Sequence, residues 1–383
     1  SGNGPLVAVL REALARDEIK RFKGKITKTA SKRKVAAFIQ NIHHFRDAYL
    51  PPSEQVPAEK VAIFDEAQRA WTKEQTAKFM LKRHVPGWNM SEPEFLISVM
   101  DRHQDWTVII CLIGGGQEIH TGEAGLLAWF DALRDHFPDW NVYVSPQISD
   151  VEYTHGKPLE HLFTGLRLYR EPNLHLSVSL RSFRNERVSA FVKSLLDENL
   201  PVAQQLYSEL SPNYPITITR SLEKAQEWIR AQARGTERYG LIASSGAKRL
   251  RQFGIWVQSN IQAENWFLND KEDIRSSYFL EDTATEFDIQ GLEIDWAIVA
   301  WDADYRIEKG HFKAYNFTGS SWKTVCKKDA QLYLKNTYRV LLTRARQGFV
   351  IFIPEGCDAD LTRQSSFYDG IYYYLKKIGM KEL

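Results

Sequence analysis

The chain has 383 residues, 50 Lys and Arg against 48 Asp and Glu, a net charge of +2, and 43% hydrophobic residues. That length suits two or three domains with their own cores, and so even a charge balance confines any nucleic-acid surface to a local patch. The widely spaced Cys111, Cys326 and Cys357 fit a reducing, cytoplasmic setting, and nothing approaches the roughly 20 apolar residues of a membrane helix or the basic start of a secretory signal.

The opening SGNGPLVAVLREALARDEIKRF reads as a turn followed by a helix, with Leu6, Val9, Leu10, Ala13 and Leu14 at helical spacing. KGKITKTASKRKV is basic and poorly patterned and reads as an exposed loop, its Lys25, Lys28, Lys32, Arg33 and Lys34 being either a nucleic-acid contact or a solvated surface. Helical patterning resumes in KRKVAAFIQNIHHF. VAIFDE (61–66) is a short buried strand, and so are WTVIICLIGGG (106–116), WNVYVSP (140–146) and LHLSVSLRS (174–182), with helical EQTAKFML, EFLISVMDRH and GLLAWFDALRDHF between them. Alternating strand and helix implies an α/β fold with a parallel sheet.

A second series follows a Pro/Asn break at YREPN. It has helices around 185–198 and 221–234, strands at 240–245, 279–287, 296–301 and 348–354, and a helix over 328–346. The reading is two tandem α/β domains, 1–170 and 171–383.

Five stretches carry chemistry. Asp65 and Glu66 in DEAQ stand at a strand end, where one carboxylate can hold Mg²⁺ and the next polarise water; the same residues also describe a strand running into an acidic cap. Gln117 in LIGGGQEIH sits at another strand end, placed to sense a terminal phosphate or to be incidental to a glycine-rich turn. In TATEFDIQGLEIDWAIVAW, Gly291 allows a tight turn, Glu293 can accept from a ribose hydroxyl and Thr285 can meet a nucleic-acid phosphate; the bland alternative is a loop before a strand. In YRVLLTRARQGFVIFIP, Arg344 and Arg346 lie two apart and would diverge on a helix, one serving a phosphate and the other pairing internally. Arg181 and Arg184 in SLRSFRNER follow a strand and can reach a phosphate or stay solvated.

In order and spacing, SGNGPL, VAIFDEAQ, LIGGGQEI, LRSFR, TATEFDIQGLE and YRVLLTRAR resemble motifs Ia to VI of superfamily 1 helicases. The wider text, including AFIQNIHHFRDAYL, GGGQEIHTGEAGLLAWFDALRDHFPDW and IASSGAKRLR, resembles the bacterial Schlafen-group-three-like DNA/RNA helicase domain family. The resemblance implies two RecA-like domains with ATP and Mg²⁺ in a cleft between them. It implies Asp65 as the Mg²⁺ carboxylate, Glu66 as general base, Gln117 as γ-phosphate sensor, Arg181 (with Arg184 as competitor) and Arg344 as phosphate arginines, and Gly291 and Glu293 at the nucleotide. Ser1, Gly2, Asn3 and Thr285 match positions facing single-stranded or duplex DNA or RNA.

The chain departs from that pattern. No G-x-x-x-x-G-K-[ST] occurs in it, and FKGKIT (22–27) lacks the upstream glycine. The expectation is therefore a helicase core that begins after its Walker A unit and is inactive alone, with room for an upstream nuclease or sensor domain. The Gly-Asp expected in motif III is Gly-Gly here, and His120 stands where an aromatic is expected. Two other readings stay open: a nucleotide-dead interaction module, and an ATP-dependent switch in a defence system that does not unwind.

Overall fold

In the computed structural model, residues 1–114, 126–149, 163–175 and 183–383 are described, without the side chains of 147, 149 and 183–185. The chain divides into two compact units, Ser1–Val7 with Arg33–Ser179, and Ala8–Lys32 with Leu180–Leu383, against the sequence division at 170. It is a mixed α/β protein with parallel sheets. Among the described residues no helix is long and apolar enough to cross a membrane.

Among the described residues the first unit contains two parallel strand pairs. β1 (Val61–Phe64) pairs with β2 (Val108–Cys111), and β3 (Asn141–Val144) pairs with β4 (Arg167–Arg170). The period-2 pleat sorts each pair into two faces. Ala62, Phe64, Ile109 and Cys111 turn inward onto Leu96, Ile97 and Trp129, while Val61, Ile63, Val108 and Ile110 stay exposed. Helices Lys73–Lys82, Glu92–Met100 and Leu127–His136 form where the sequence shows helical periodicity. Ser91 and Glu94 close a capping box at the start of Glu92–Met100, which fixes that boundary.

A buried ion pair ties helix Ile42–Ala48 to this core. Arg46 is 0% and Glu92 1% exposed, their side chains meet at 3.0 Å, and Glu92 also accepts from the Trp71 backbone at 3.0 Å. The guanidinium lies 4.4 Å from the Phe79 ring centroid and 5.1 Å from that of Trp71.

The second unit is built on a parallel six-stranded sheet of order β13-β5-β12-β8-β6-β7. Its strands are β5 (Ile216–Thr219), β6 (Tyr239–Ala243), β7 (Thr283–Ala284), β8 (Ile294–Ala300), β12 (Ala345–Phe352) and β13 (Lys381–Glu382). β8 and β12 occupy its middle, and their near-continuous apolar runs are what burial on both faces demands. A separate antiparallel meander, β9 (Tyr305–Glu308), β10 (His311–Thr318) and β11 (Ser321–Thr324), follows β8.

Three expectations are corrected. The stretch read as a basic loop contains most of a helix, Lys28–Phe38. Its charge is tolerated because Lys28 and Lys32 reach the buried carboxylate of Glu12 at 2.7 and 2.6 Å, and Arg16 adds a third contact at 2.8 Å. Burial works to raise the Glu12 pKa, but those hydrogen bonds outweigh it and hold it at about 2. The strand expected over 279–287 is only Thr283–Ala284; Asp288 caps Thr285 and starts a short helix, Glu286–Ile289. The helix expected to 346 ends at Leu342, so Arg346 lies on β12 rather than on a helix. Strand 174–182 falls almost wholly outside the described residues.

Removing one partner of a buried ion pair leaves an uncompensated charge and costs about 3–5 kcal/mol. Arg46→Met should therefore lower the unfolding free energy in urea by about that much. The double variant Arg46→Met/Glu92→Met should recover most of the loss, read by tryptophan fluorescence.

Candidate functional site

β1 ends at Phe64 and the chain must turn before entering the 3₁₀ turn Ala67–Arg69. The turn is made at Glu66, which sits in the left-handed region at φ 54°, ψ 46°. For a residue with a Cβ this costs about 1–2 kcal/mol, so the surroundings must hold it. Gln68, 3% exposed, does so: its amide donates to Glu66 Oε2 at 2.6 Å, and its Oε1 accepts from the Gly114 backbone at 3.3 Å. The Ala67 backbone N–H donates to Leu112 O at 2.9 Å, and Trp129 Nε1 donates to Ala67 O at 2.9 Å. The DEAQ turn is thus fastened to the end of β2.

The neighbouring Asp65 accepts from the Ser1 hydroxyl at 3.2 Å. Asn3 is 2% exposed and its side chain accepts from the Leu6 backbone at 3.2 Å, opening helix Gly4–Arg21. The structure therefore brings Ser1, Asp65 and Glu66 to one strand edge, with Gly2 and Asn3 beside Ser1. Asp65 and Ser1 offer hard oxygen donors of the kind Mg²⁺ prefers. Among the described residues no group of three His, Cys, Asp or Glu is set to hold a metal, so a cation here would depend on one or two carboxylates and on oxygens of a bound substrate.

In the second unit Gly291 has φ 76°, the positive value its turn requires. Thr285 is 6% exposed and its hydroxyl donates to Asp288 at 2.7 Å, so it is engaged in capping rather than open to a ligand. Glu293 pairs with Arg346 at 3.1 Å. Arg344 is 2% exposed, donating from Nε to Val340 O at 3.1 Å and from Nη2 to the Thr343 hydroxyl at 3.2 Å. Gln117 and Arg181 lie outside the described residues, as does the side chain of Arg184, which is carried by helix Phe183–Leu196.

Sequence reasoning missed two groups. Gln68 was quoted only as part of a motif, yet it orients Glu66. The other is a set of buried carboxylates at the carboxyl ends of β6 and β8. Asp304 accepts from Ser244 Oγ at 2.6 Å and from the Tyr338 hydroxyl at 2.5 Å. Asp302 accepts from the Arg249 backbone and the Tyr368 hydroxyl, each at 2.9 Å. Glu286 accepts from Ser245 N and Oγ at 2.8 and 2.7 Å. Gly246 is required beside them, because a Cβ there would come 2.8 Å from Asp304 Oδ2. Burial raises the pKa of all three acids; for Asp304, burial and then the charge of Asp302 push it up to about 7 against its hydrogen bonds. Acids in WDAD after an apolar strand are the same signal as in VAIFDE, and could have been found by it.

A family model for the Schlafen group 3 DNA/RNA helicase domain matches residues 1–355, and the chain belongs to that family. Membership carries a helicase-like, nucleotide-binding function at that coarse level. No curated protein matches the chain.

Two outcomes follow from these geometries. Gln68→Leu should lower stability by about 1–3 kcal/mol, the cost of leaving buried polar groups without a partner. Gln68→Glu sets a second carboxylate against Glu66 and should be more damaging at pH 8 than at pH 5, measured by urea unfolding. Asp304 binds its proton more tightly folded than unfolded. Stability is thus fully present below the unfolded pKa near 4 and is lost as pH rises toward about 7, by at most about 1.4 kcal/mol per pH unit. Asp304→Asn should flatten that decline in thermal melts taken from pH 4 to 8.

Proposed function

We propose that the chain is the core of an ATP-dependent helicase or translocase acting on DNA or RNA. Asp65 holds Mg²⁺, which neutralises phosphate charge, and Glu66 accepts the proton of the attacking water. Gln117, Arg181 and Arg344 act on the phosphates, with Arg184 as the competitor for the Arg181 role. Gly291 and Glu293 flank the nucleotide, and Ser1, Gly2 and Asn3 lie toward the strand; Thr285 would meet it only after giving up its bond to Asp288. The observation that carries this reading is the Glu66 turn. A strained carboxylate is held at the end of a parallel strand by a dedicated buried amide, and such strain is retained where a side chain must be aimed. In open parallel sheets, ligands gather at that end of the strands.

Two features of this chain weigh on the reading. The 383 residues contain no glycine-rich Lys loop to cradle the phosphates, so no step involving such a loop is assigned to them. Arg344 must leave its buried position to reach a phosphate. Both favour a second reading, in which the chain is a nucleotide-silent module binding nucleic acid or a protein. A defence switch that hydrolyses ATP without unwinding is a variant of the first.

ATP hydrolysis should be measured with and without single-stranded DNA and RNA, in this chain and in a chain extended upstream by its own coding region. Turnover stimulated by a strand in the longer protein, falling about 10²–10⁴-fold in Glu66→Gln with nucleotide binding retained, is the expected result. Turnover insensitive to strands points to a switch, and none in either protein leaves the silent module.

A further inference from the structure

The buried acids of the second unit are wired in one direction. Ser244 Oγ accepts from the Gly246 backbone at 3.1 Å, so its single hydrogen is left for Asp304, 2.6 Å away. The Tyr338 hydroxyl faces the other oxygen of Asp304 at 2.5 Å. The next residue, Ser245, gives both its backbone N–H and its hydroxyl to Glu286, at 2.8 and 2.7 Å. Ser244 and Ser245 share a peptide bond. A continuous path therefore runs from Glu286 through Ser245 and Ser244 to Asp304 and Tyr338.

Each end of that path belongs to a segment with a candidate functional residue. Glu286 opens the short helix capped by Thr285. Tyr338 belongs to helix Lys328–Leu342, and Arg344, just beyond that helix, bonds back to Val340 O, two residues past Tyr338. Thr337 Oγ1 lies 3.5 Å from Glu286 and closes the path on itself. There is little slack. A Cβ on Gly246 would come 2.8 Å from Asp304, and the Tyr338 ring centroid lies 4.2 Å from that of Trp301. Packing alone gives no reason for the wiring, since buried carboxylates cost stability that apolar side chains would not.

We propose that Ser245 and Tyr338 are positioning residues that make the Glu286 turn and the Arg344 helix end move as one body. Hydrogen bonds in a buried network are strong and directional, so a displacement at one end is passed on rather than absorbed. Arg344, which has to leave its buried place to meet a phosphate, is then released as the turn moves. The inference rests on the phosphate role given to Arg344; the linkage of the two segments does not.

The linkage is read by hydrogen–deuterium exchange mass spectrometry on the 383-residue chain, without nucleotide. Ser245→Ala should speed exchange about tenfold or more in both 283–292 and 333–344, because it takes a donor from a buried carboxylate. Tyr338→Phe, which keeps the ring and removes the hydroxyl, should do the same from the other end. Ser245→Thr keeps a hydroxyl at a half-buried site and should exchange like the parent. Helix Leu222–Gln232, outside the path, should be unchanged in every variant. The role toward Arg344 is read from ATP hydrolysis in the chain extended upstream. Ser245→Ala should lower kcat about 10–100-fold with KM for ATP within about twofold, and Ser245→Thr should restore it. Exchange that rises in only one of the two segments, or throughout the unit with Leu222–Gln232 included, overturns the proposal, and so does unchanged kcat. Coupled exchange without turnover in either parent upholds the linkage and overturns the helicase reading alone; turnover with uncoupled exchange does the reverse.

Discussion

The side-chain amide of Gln68 donates to Glu66 and accepts from the backbone at Gly114, and the geometry of the β1 edge follows from these two hydrogen bonds. Without them a glutamate would have little reason to remain at φ 54°, since an ordinary turn avoids the crowding of Cβ and carbonyl. With them, the carboxylate is set relative to β2, because Gly114 lies three residues past the end of that strand. The turn therefore reports the position of the β2 end as well as holding Glu66. Any displacement of Gly114 would be felt at the carboxylate through one buried amide. That is a short mechanical path between two motifs separated by nearly fifty residues in the chain.

The two units use strand-end acids in opposite ways. Asp65 and Glu66 are partly exposed, while Asp302, Asp304 and Glu286 are 1%, 0% and 2% exposed. The buried three accept from serine and tyrosine hydroxyls and from backbone N–H groups, so they occupy the anion-seeking ends of β6 and β8 with the protein's own carboxylates. Desolvation makes this arrangement dependent on protons, because mutual repulsion is lowest when Asp304 is neutral. Glu286 adjoins Thr285, and Tyr338 belongs to the helix that ends just before Arg344. The network thus joins the Thr285 segment to that helix inside one unit.

Much of this was legible in the sequence. Parallel strands announce themselves as unbroken apolar runs, so VAIF, VIIC and GFVIF fell where they were expected, but Val61, Ile63, Val108 and Ile110 are exposed rather than buried as expected. What failed did so for tertiary reasons. KGKITKTASKRKV reads as a loop because its lysines repel along a helix, and Glu12, sixteen residues upstream of Lys28, removes that penalty. LLTRAR reads as continuous helix by propensity, but pairing of Ala345 with Ile294 starts a strand there instead. The meander was not seen because its alternation is short and interrupted by glycines. Gln68 was unreadable as a positioning group because its partners lie on a turn and a distant strand end.

The near-neutral charge balance left room only for a local basic patch, because a sum hides its distribution. A chain at +2 gives no electrostatic reason to meet a polyanion, yet removing residues 305–328 from the count makes the remainder negative. The basic helix Lys28–Phe38 has lysines that look similar in sequence to those of the meander but serve a different end. Lys28 and Lys32 are spent on Glu12, whereas the meander lysines meet no carboxylate among the described residues. Identical residue types with equal exposure therefore differ in their availability to a ligand, and the deciding quantity is the presence of a counter-charge within a few ångströms.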